Sequence, residues 1–205
     1  MSDVVGVLLA GGQSRRMGGR DKSLMMLAGK TMIAHVIDRL SAQVRRIVIN
    51  ANAPARTFAE FGLPVVADSI AGYAGPLAGV LAGMRWSIGH APDARFIATA
   101  ATDTPFFPTD FVARLQTVAG DDTVALAASN GRLHPVFGLW PVALADDLET
   151  WLGDGDNRKV LAWVDRHSLA RVDFAPLNGG IDPFFNANTP EELAQAEAIA
   201  AEMSA

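Results

Sequence analysis

A run of apolar residues near the start of the chain, at positions 4–10, leads directly into a glycine-rich loop. A strand that is apolar at nearly every position must be covered on both faces. Such strands are typical of parallel sheets that carry helices on either side. The run therefore predicts a central strand of an α/β domain.

The rest of the first half alternates helical patterns with strand patterns. Met32, Val36 and Leu40 repeat every four residues and predict one buried helix face, and residues 76–88 predict a second helix. The strand patterns around them read RIVINAN, LPVVAD and RFIATAATD. This order of strands and helices predicts a mostly parallel sheet.

The second half is less regular and adds antiparallel character. TVALAAS and HPVFGLW predict two strands joined by a tight turn at NGR, and LARVDF predicts a last strand. Helical patterns lie near residues 142–152 and 158–166, and Thr189, Pro190 and Glu192 predict the capped start of a closing helix. We expect one Rossmann-like α/β domain over residues 1–205, with a mostly parallel, partly mixed sheet and helices on both faces.

The composition excludes several classes of function. The 205 residues suit one domain, and the absence of Cys excludes disulfides, thiolate metal sites and Cys nucleophiles. A net charge of -5 argues against broad binding of nucleic acids or anionic membranes. The start of the chain lacks the pattern of a signal peptide, and the longest uncharged stretch, residues 69–84, is too short for a membrane span. We expect a cytoplasmic protein.

Glycines and cations gather in the loop after the first strand, although the chain is acidic. The glycines are Gly11, Gly12, Gly18 and Gly19, and the cations are Arg15, Arg16, Arg20 and Lys22. Backbone N–H groups at the carboxyl end of a strand can bind an anion, so the loop predicts a polyphosphate site. A solvated surface loop is the alternative. Gly29, Lys30 and Thr31 resemble the end of a P-loop, but Leu24 occupies the position where a P-loop requires its first glycine. A G-x-G-x-x-G motif does not follow the first strand either.

The segment LAGGQSRRMGGRDKSLMMLAGK resembles the signature of the molybdenum cofactor guanylyltransferase family. The resemblance extends to NANAP, DSIAGYAGPLAGV, TDTPFFP and FFNANTPEEL, in the family's order. It implies transfer of a guanylyl group from GTP to the terminal phosphate of molybdopterin, with Mg²⁺ and release of pyrophosphate. It also implies transient contact with cofactor-insertion proteins, a nucleotide-binding half near residues 1–110 and a molybdopterin-binding half near 111–205.

The resemblance also assigns roles to particular residues. Arg16, Lys22 and Asp103 are the expected catalytic residues, with Asp103 holding the metal. Asn186 and Asn188 are expected on the molybdopterin side, far in sequence from the loop. The nucleotide is expected to contact Leu9, Ala10, Gly11, Gly12, Lys22, Asn50, Asp68 and Gly75.

For some of these residues, the sequence itself supports the assigned role or suggests a different one. Asp103 follows a buried strand, so its carboxylate should face the crevice as a hard ligand for Mg²⁺, although it could instead cap the following turn. Asn186 and Asn188 could likewise be capping residues. Gly79 and Gly83 are expected to allow tight helix packing. His134 departs from the polar, non-ionisable residue expected at its position.

The sequence leaves three other functions open. A cytidylyltransferase of the same cofactor is the nearest, but such enzymes tend to read L-A-A-G where this chain has Gly11, and the missing methyl group leaves room for a purine. A sugar-phosphate nucleotidyltransferase is the second. A non-catalytic GTP-binding assembly protein is the third, and the presence of Asp103 argues against it.

Overall fold

The computed structural model describes residues 3–11, 22–70, 75–154 and 159–204. Within these ranges the strands are Val4–Leu9 (β1), Met26–Leu27 (β2), Lys30–Thr31 (β3), Arg46–Asn50 (β4), Val65–Val66 (β5), Phe96–Ala101 (β6), Thr123–Ser129 (β7), Arg132–Pro141 (β8) and Ser168–Asp173 (β9). The α-helices are Met32–Ser41 (α1), Pro76–His90 (α2), Phe111–Gln116 (α3), Ala145–Asp154 (α4), Val160–Val164 (α5) and Pro190–Ser204 (α6).

Seven of the described strands form one sheet in the order β5-β4-β1-β6-β8-β7-β9. All neighbours pair in parallel except β8, which is antiparallel to both β6 and β7. The predicted hairpin is β7–β8, and its turn residues Asn130 and Gly131 have φ values of 48° and 78°. These left-handed conformations match the right-handed twist of the strands. The predicted α/β fold with a mostly parallel, partly mixed sheet is confirmed.

Helices cover both faces of the sheet, and β1 shows how the core divides. Val4 and Leu8 pack in the cluster under α1 and α3, whereas Val5, Val7 and Leu9 pack in the cluster under α2, α4 and α5. Successive residues of a strand point to opposite faces, so an apolar residue at every position serves both clusters. The continuous apolar run is explained by this double burial.

A third apolar cluster joins segments that lie far apart in the sequence. Leu27 and Met32 come from the β2–β3 hairpin and the start of α1, Ala187 precedes α6, and Ala196 and Ile199 belong to α6. All of these side chains are almost fully buried. The cluster therefore holds the chain that follows the glycine-rich loop against the chain that precedes the last helix.

The amino end of the sheet carries a polar cluster around Asp147. Trp163 donates its indole N–H to Asp147 at 2.8 Å, Arg166 donates at 3.2 Å, and His167 lies between Asp147 at 3.1 Å and Asp122 at 3.0 Å. Burial alone would raise the pKa of Asp147, but the hydrogen bonds from Trp163 and His167 and the charge of Arg166 lower it overall. The cluster ties α4 and α5 to the strands of the second half.

No helix in the described ranges is long and apolar enough to cross a membrane.

Candidate functional site

The carboxyl ends of four parallel strands lie level across the sheet. Leu9 of β1 pairs with Asn50 of β4 and with Ala101 of β6, and Asn50 pairs with Val66 of β5. Chain segments that leave one row of a sheet emerge together at its edge, where open α/β sheets bind their ligands. The register therefore decides which residues can meet.

The residues two positions after this row are Gly11, Asn52, Asp68 and Asp103, and all four line one cavity of about 490 Å³. Of the residues predicted for the site, this cavity is also lined by Leu9, Ala10, Lys22, Asn50, Gly75, Asn186 and Asn188. The sequence prediction thus named residues that the fold does bring together. Gly12 and Arg16, the other two predicted site residues, lie outside the described ranges.

A carboxylate held by two amides forms the β4–β5 side of the cavity. Asn50 Nδ2 donates to Asp68 Oδ1 at 2.9 Å and to the Val66 carbonyl at 3.3 Å. Asn52 Nδ2 donates to Asp68 Oδ2 at 2.8 Å, and the Asp68 backbone N–H donates to Asn52 Oδ1 at 3.0 Å. Each oxygen of the Asp68 carboxylate therefore has its own amide donor.

Among the described residues that line the cavity, the cation comes from outside the sheet. Lys22 begins a short 3₁₀ helix, Lys22–Leu24, and its Nζ donates to Asn188 Oδ1 at 3.3 Å. Asn188 is held in turn, because its backbone N–H donates to Glu192 Oε2 at 2.7 Å. The Glu192 carboxylate also accepts a hydrogen bond from the Thr189 backbone N–H at 2.9 Å. The Glu192 backbone N–H donates to Thr189 Oγ1 at 3.2 Å. The predicted capping box is thus confirmed, and it fixes the residue that orients Lys22.

Asp103 lies on the β6 side of the cavity and is largely buried. Burial raises the pKa of Asp103, and the hydrogen bonds from its own backbone and from Thr104, with the charge of Lys22, oppose this shift without overcoming it. The Asp103 carbonyl accepts the Ala187 N–H at 3.0 Å, and the Thr104 hydroxyl lies 2.6 Å from Asn186 Oδ1. These contacts attach the segment that carries Asn186 and Asn188 to the end of β6.

A divalent cation fits the surroundings of Asp103. The carboxylate is largely buried and incompletely compensated by positive charge, so a metal ion would relieve the cost of its ionisation. No group of three or more His, Asp or Glu that could hold a metal occurs among the residues that the structure describes. A metal bound by Asp103 would therefore complete its shell with substrate oxygens and water, as Mg²⁺ often does.

The structure limits which backbone atoms could make the predicted contacts with the nucleotide. The Ala10 N–H already donates to the Asn50 carbonyl at 2.9 Å, so a ligand can reach only the carbonyl of Ala10. Gly11 is exposed, and no described atom lies within 4 Å of a Cβ atom built on it. Gly75 precedes α2 with φ 71°, a conformation that side chains disfavour. Gly11 and Gly75 both line the cavity, and Gly11 leaves open space beside it.

Sequence reasoning missed several residues of the site, among them Asn52, which lines the cavity, and Thr104, which lies beside it. Asn52 lies two residues after the end of β4, as Asp103 does after β6, and this offset is the signal that could have identified it. Thr104 follows Asp103 directly, but its contact with Asn186 spans 82 residues of sequence, and no local pattern encodes such a contact.

His134 is absent from the lining of this cavity and belongs to a neighbouring polar group. Ser129 Oγ lies 2.7 Å from His134 Nε2 and donates to Asp182 Oδ1 at 2.6 Å, and the His134 ring stacks on Phe184 at 4.5 Å. Burial lowers the pKa of His134. The group attaches the β7–β8 hairpin to the segment that leads to Asn186, which gives His134 a place in the packing of this half.

The whole chain is similar to known proteins. Residues 6–171 match a family model described as MobA-like NTP transferase domain. The chain is 50% identical over 200 residues to the molybdenum cofactor guanylyltransferase of Bradyrhizobium sp. (strain ORS 278), covering 97% of this chain and 93% of the relative. It is 45% identical over 205 residues to the protein of the same name from Mesorhizobium japonicum, covering 98% of both chains.

A solved structure shares the fold. The molybdopterin-guanine dinucleotide biosynthesis protein A of Archaeoglobus fulgidus matches with a TM-score of 0.75 at 24% identity, over 97% of this chain and 100% of that one.

Proposed function

This chain belongs to the MobA-like NTP transferase domain family, and on that premise we propose that it transfers a guanylyl group from GTP to the terminal phosphate of molybdopterin. Two relatives that align over nearly their full length are guanylyltransferases of the molybdenum cofactor by name. The observation that carries the proposal is the cavity, which joins the cation of Lys22 with the carboxylates of Asp68 and Asp103 at the ends of parallel strands. The cation suits the phosphates of a nucleoside triphosphate, and the carboxylates suit a metal ion.

The reaction needs no nucleophile from the protein, because an oxygen of the molybdopterin phosphate attacks the α-phosphorus of GTP. One P–O bond forms in this attack, and the bond from the α-phosphorus to the oxygen that bridges to the β-phosphate breaks. Pyrophosphate carries away the electron pair. The task of the protein is to align the two phosphates and to stabilise charge. A chain without Cys is adequate for such chemistry.

Lys22 is the residue best placed to stabilise charge on the triphosphate. Its ammonium group is held by Asn188 at 3.3 Å, and Lys22 lines the same cavity as Asp68 and Asp103. A lysine that is already oriented loses less side-chain entropy when the phosphates bind. We expect Arg16 of the same loop to add a second positive charge.

Asp103 is the residue that would hold Mg²⁺. When bound there, the ion would supply positive charge to the phosphate oxygens during the transfer. Asp103 is fixed for this task by the Ala187 N–H on its carbonyl and by Thr104 beside its carboxylate. Asn186 and Asn188 lie next to it, on the side where molybdopterin is proposed to approach.

The nucleoside is proposed to bind between the ends of β1, β4 and β5. Asn50 and Asp68 offer polar atoms there, and the open space beside Gly11 leaves room for a purine. We also expect the protein to act in the cytoplasm and to contact cofactor-insertion proteins transiently, as the sequence suggests.

The test is a transfer assay with the purified chain, molybdopterin, Mg²⁺ and either GTP or CTP. We expect guanine dinucleotide and pyrophosphate in equal amounts, no product without molybdopterin, and a higher kcat/KM for GTP than for CTP. A preference for CTP would replace the guanylyl assignment with a cytidylyl one. GTP binding without transfer of either nucleotide would indicate a non-catalytic assembly protein instead.

A further inference from the structure

Asp68 is held in the cavity by contacts of two different kinds. Asn50 is buried, with 4% of its surface exposed, and it packs against α2. Asn52 is exposed, and its side chain contacts Asp68 twice, at the carboxylate and at the backbone N–H. A carboxylate only accepts and a backbone N–H only donates, so the Asn52 amide fits in one orientation alone. This pair of bonds fixes the rotation of the Asp68 side chain.

The two amides leave a defined acceptor pattern on Asp68. A carboxylate oxygen can accept two hydrogen bonds, and each oxygen of Asp68 receives one from an asparagine. Counting only donors within the described ranges, one acceptor position therefore remains on each oxygen of a carboxylate that lines the cavity. Two neighbouring donors on a ligand match this pattern, and a guanosine nucleotide offers such pairs on the base edge and on the ribose.

We propose that Asn52 is a positioning residue of this enzyme, which orients the Asp68 carboxylate toward hydrogen-bond donors of the GTP nucleoside. The inference rests on the proposed function, since it assumes that GTP occupies the cavity. Asn52 acts through Asp68 and does not belong to the packed core, so its loss affects nucleotide binding more than folding. Loss of the Asn52 side chain should raise KM for GTP, because Asp68 must be correctly oriented when the nucleoside binds.

The first test is a comparison of Asn52→Ala with a matched control. Gln116→Ala removes another amide that donates to a carboxylate, at 3.1 Å to Asp3, at the opposite end of the sheet. Asn52→Ala should raise KM for GTP about tenfold, with kcat and KM for molybdopterin within about twofold of wild type. Gln116→Ala should leave all three unchanged. A wild-type KM for GTP in Asn52→Ala overturns the proposal.

A double-mutant cycle separates positioning from direct contact. If Asn52 acts only through Asp68, adding Asn52→Ala to Asp68→Ala should raise KM for GTP no further. A full tenfold increase in that background would show that Asn52 acts independently, and the proposal would fail. Thermal unfolding of each variant shows whether the fold is retained, since a loss of folded protein would lower kcat rather than raise KM.

Two analogues identify the donors that Asp68 accepts from. Inosine triphosphate lacks the base amino group and 2′-deoxy-GTP lacks one ribose hydroxyl. The penalty of Asn52→Ala should shrink with the analogue that lacks the relevant donor, and a full penalty with both analogues counts against the proposal. These outcomes differ from failure of the proposed function, in which the wild-type chain itself would not transfer GMP.

Discussion

Replacing Gly79 with alanine should damage the nucleotide site while the fold persists. A Cβ atom built on Gly79 would lie 2.3 Å from Asn50 Oδ1 and 2.7 Å from Leu9 Cδ2. Both of these side chains line the cavity. Asn50 can move aside only by loosening its hydrogen bonds to Asp68 and to the Val66 carbonyl. The substitution therefore reaches the carboxylate that the nucleoside is proposed to contact.

Two opposing effects set the change in stability. Alanine is favoured over glycine in a helix by about 1 kcal/mol, whereas overpacking a filled core costs about 1–3 kcal/mol. The net loss of unfolding free energy is then between zero and about 2 kcal/mol, which lowers Tm by up to about 8 °C in a chain of this size. A hydrogen bond to a charged group contributes about 1.5–3 kcal/mol, so GTP affinity should fall about ten- to hundredfold.

Two other glycines of α2 serve as controls for Gly79. A Cβ atom on Gly83 would lie 2.5 Å from Cγ2 of Val7, a stiff side chain that is absent from the cavity lining. Gly83→Ala should therefore lose stability but keep GTP affinity. No described atom lies within 4 Å of a Cβ atom on Gly89, so Gly89→Ala should raise Tm by up to about 4 °C.

The assays for this series are thermal unfolding and calorimetric titration with GTP. Wild-type GTP affinity in Gly79→Ala would refute the reasoning, whatever its Tm. An equal loss of affinity in Gly83→Ala would also refute it, because the effect would then come from general overpacking of α2.

The remaining predictions concern charge, base choice and acid stability. Lys22→Ala should weaken GTP binding and slow transfer about ten- to hundredfold, measured by titration and single-turnover rates, and wild-type values would exclude a phosphate contact. Asp103→Asn should lower activity sharply and raise the Mg²⁺ concentration for half-maximal rate, and an unchanged Mg²⁺ titration would contradict the metal role. Gly11→Ala should keep the wild-type Tm but lower the ratio of kcat/KM for GTP over CTP about ten- to two-hundredfold. Asp147→Asn should lower the unfolding free energy at pH 7. Because the folded-state pKa of Asp147 is lowered, its contribution is present above about pH 4 and is lost as pH falls through the folded value, so denaturant titrations of the two proteins should converge there.

The parts of the fold that were predicted correctly are those with a strong local pattern. The four-residue repeat of Met32, Val36 and Leu40 predicted α1, whose buried face contains all three residues. The turn residues Asn130 and Gly131 predicted the β7–β8 hairpin, since both have the positive φ values that these residue types tolerate. In each case the physical cause acts within a few residues, so the sequence alone displays it.

The elements that were missed or misjudged depend on distant contacts. LPVVAD predicted a full strand, but β5 is only Val65–Val66, and it lies at an edge of the sheet, paired with β4. The β2–β3 hairpin was not predicted, since its turn places Ala28 at φ 47°, which alanine does not normally adopt. Glu197 of α6 accepts the Ala28 N–H at 3.0 Å and 3.1 Å, and this contact spans 169 residues. No local pattern reveals such a partner.

Dependence on distant contacts also separates the parts of the site that could be predicted from those that could not. Asp68 and Asp103 could be predicted because each follows a strand, and parallel strands end at one edge of a sheet. The pairing of Lys22 with Asn188 could not, because the third apolar cluster brings these residues together from opposite ends of the chain.

That pairing also bears on the division into a nucleotide half and a molybdopterin half, which remains a proposal. Asn188 was expected on the molybdopterin side, far in sequence from the glycine-rich loop, yet its side chain holds the cation proposed for the triphosphate. A transfer reaction requires that its two substrates meet at the reacting phosphorus. Residues from the two halves must therefore touch there, and the contact of Asn188 with Lys22, beside Asp103, marks where the proposed attack would take place.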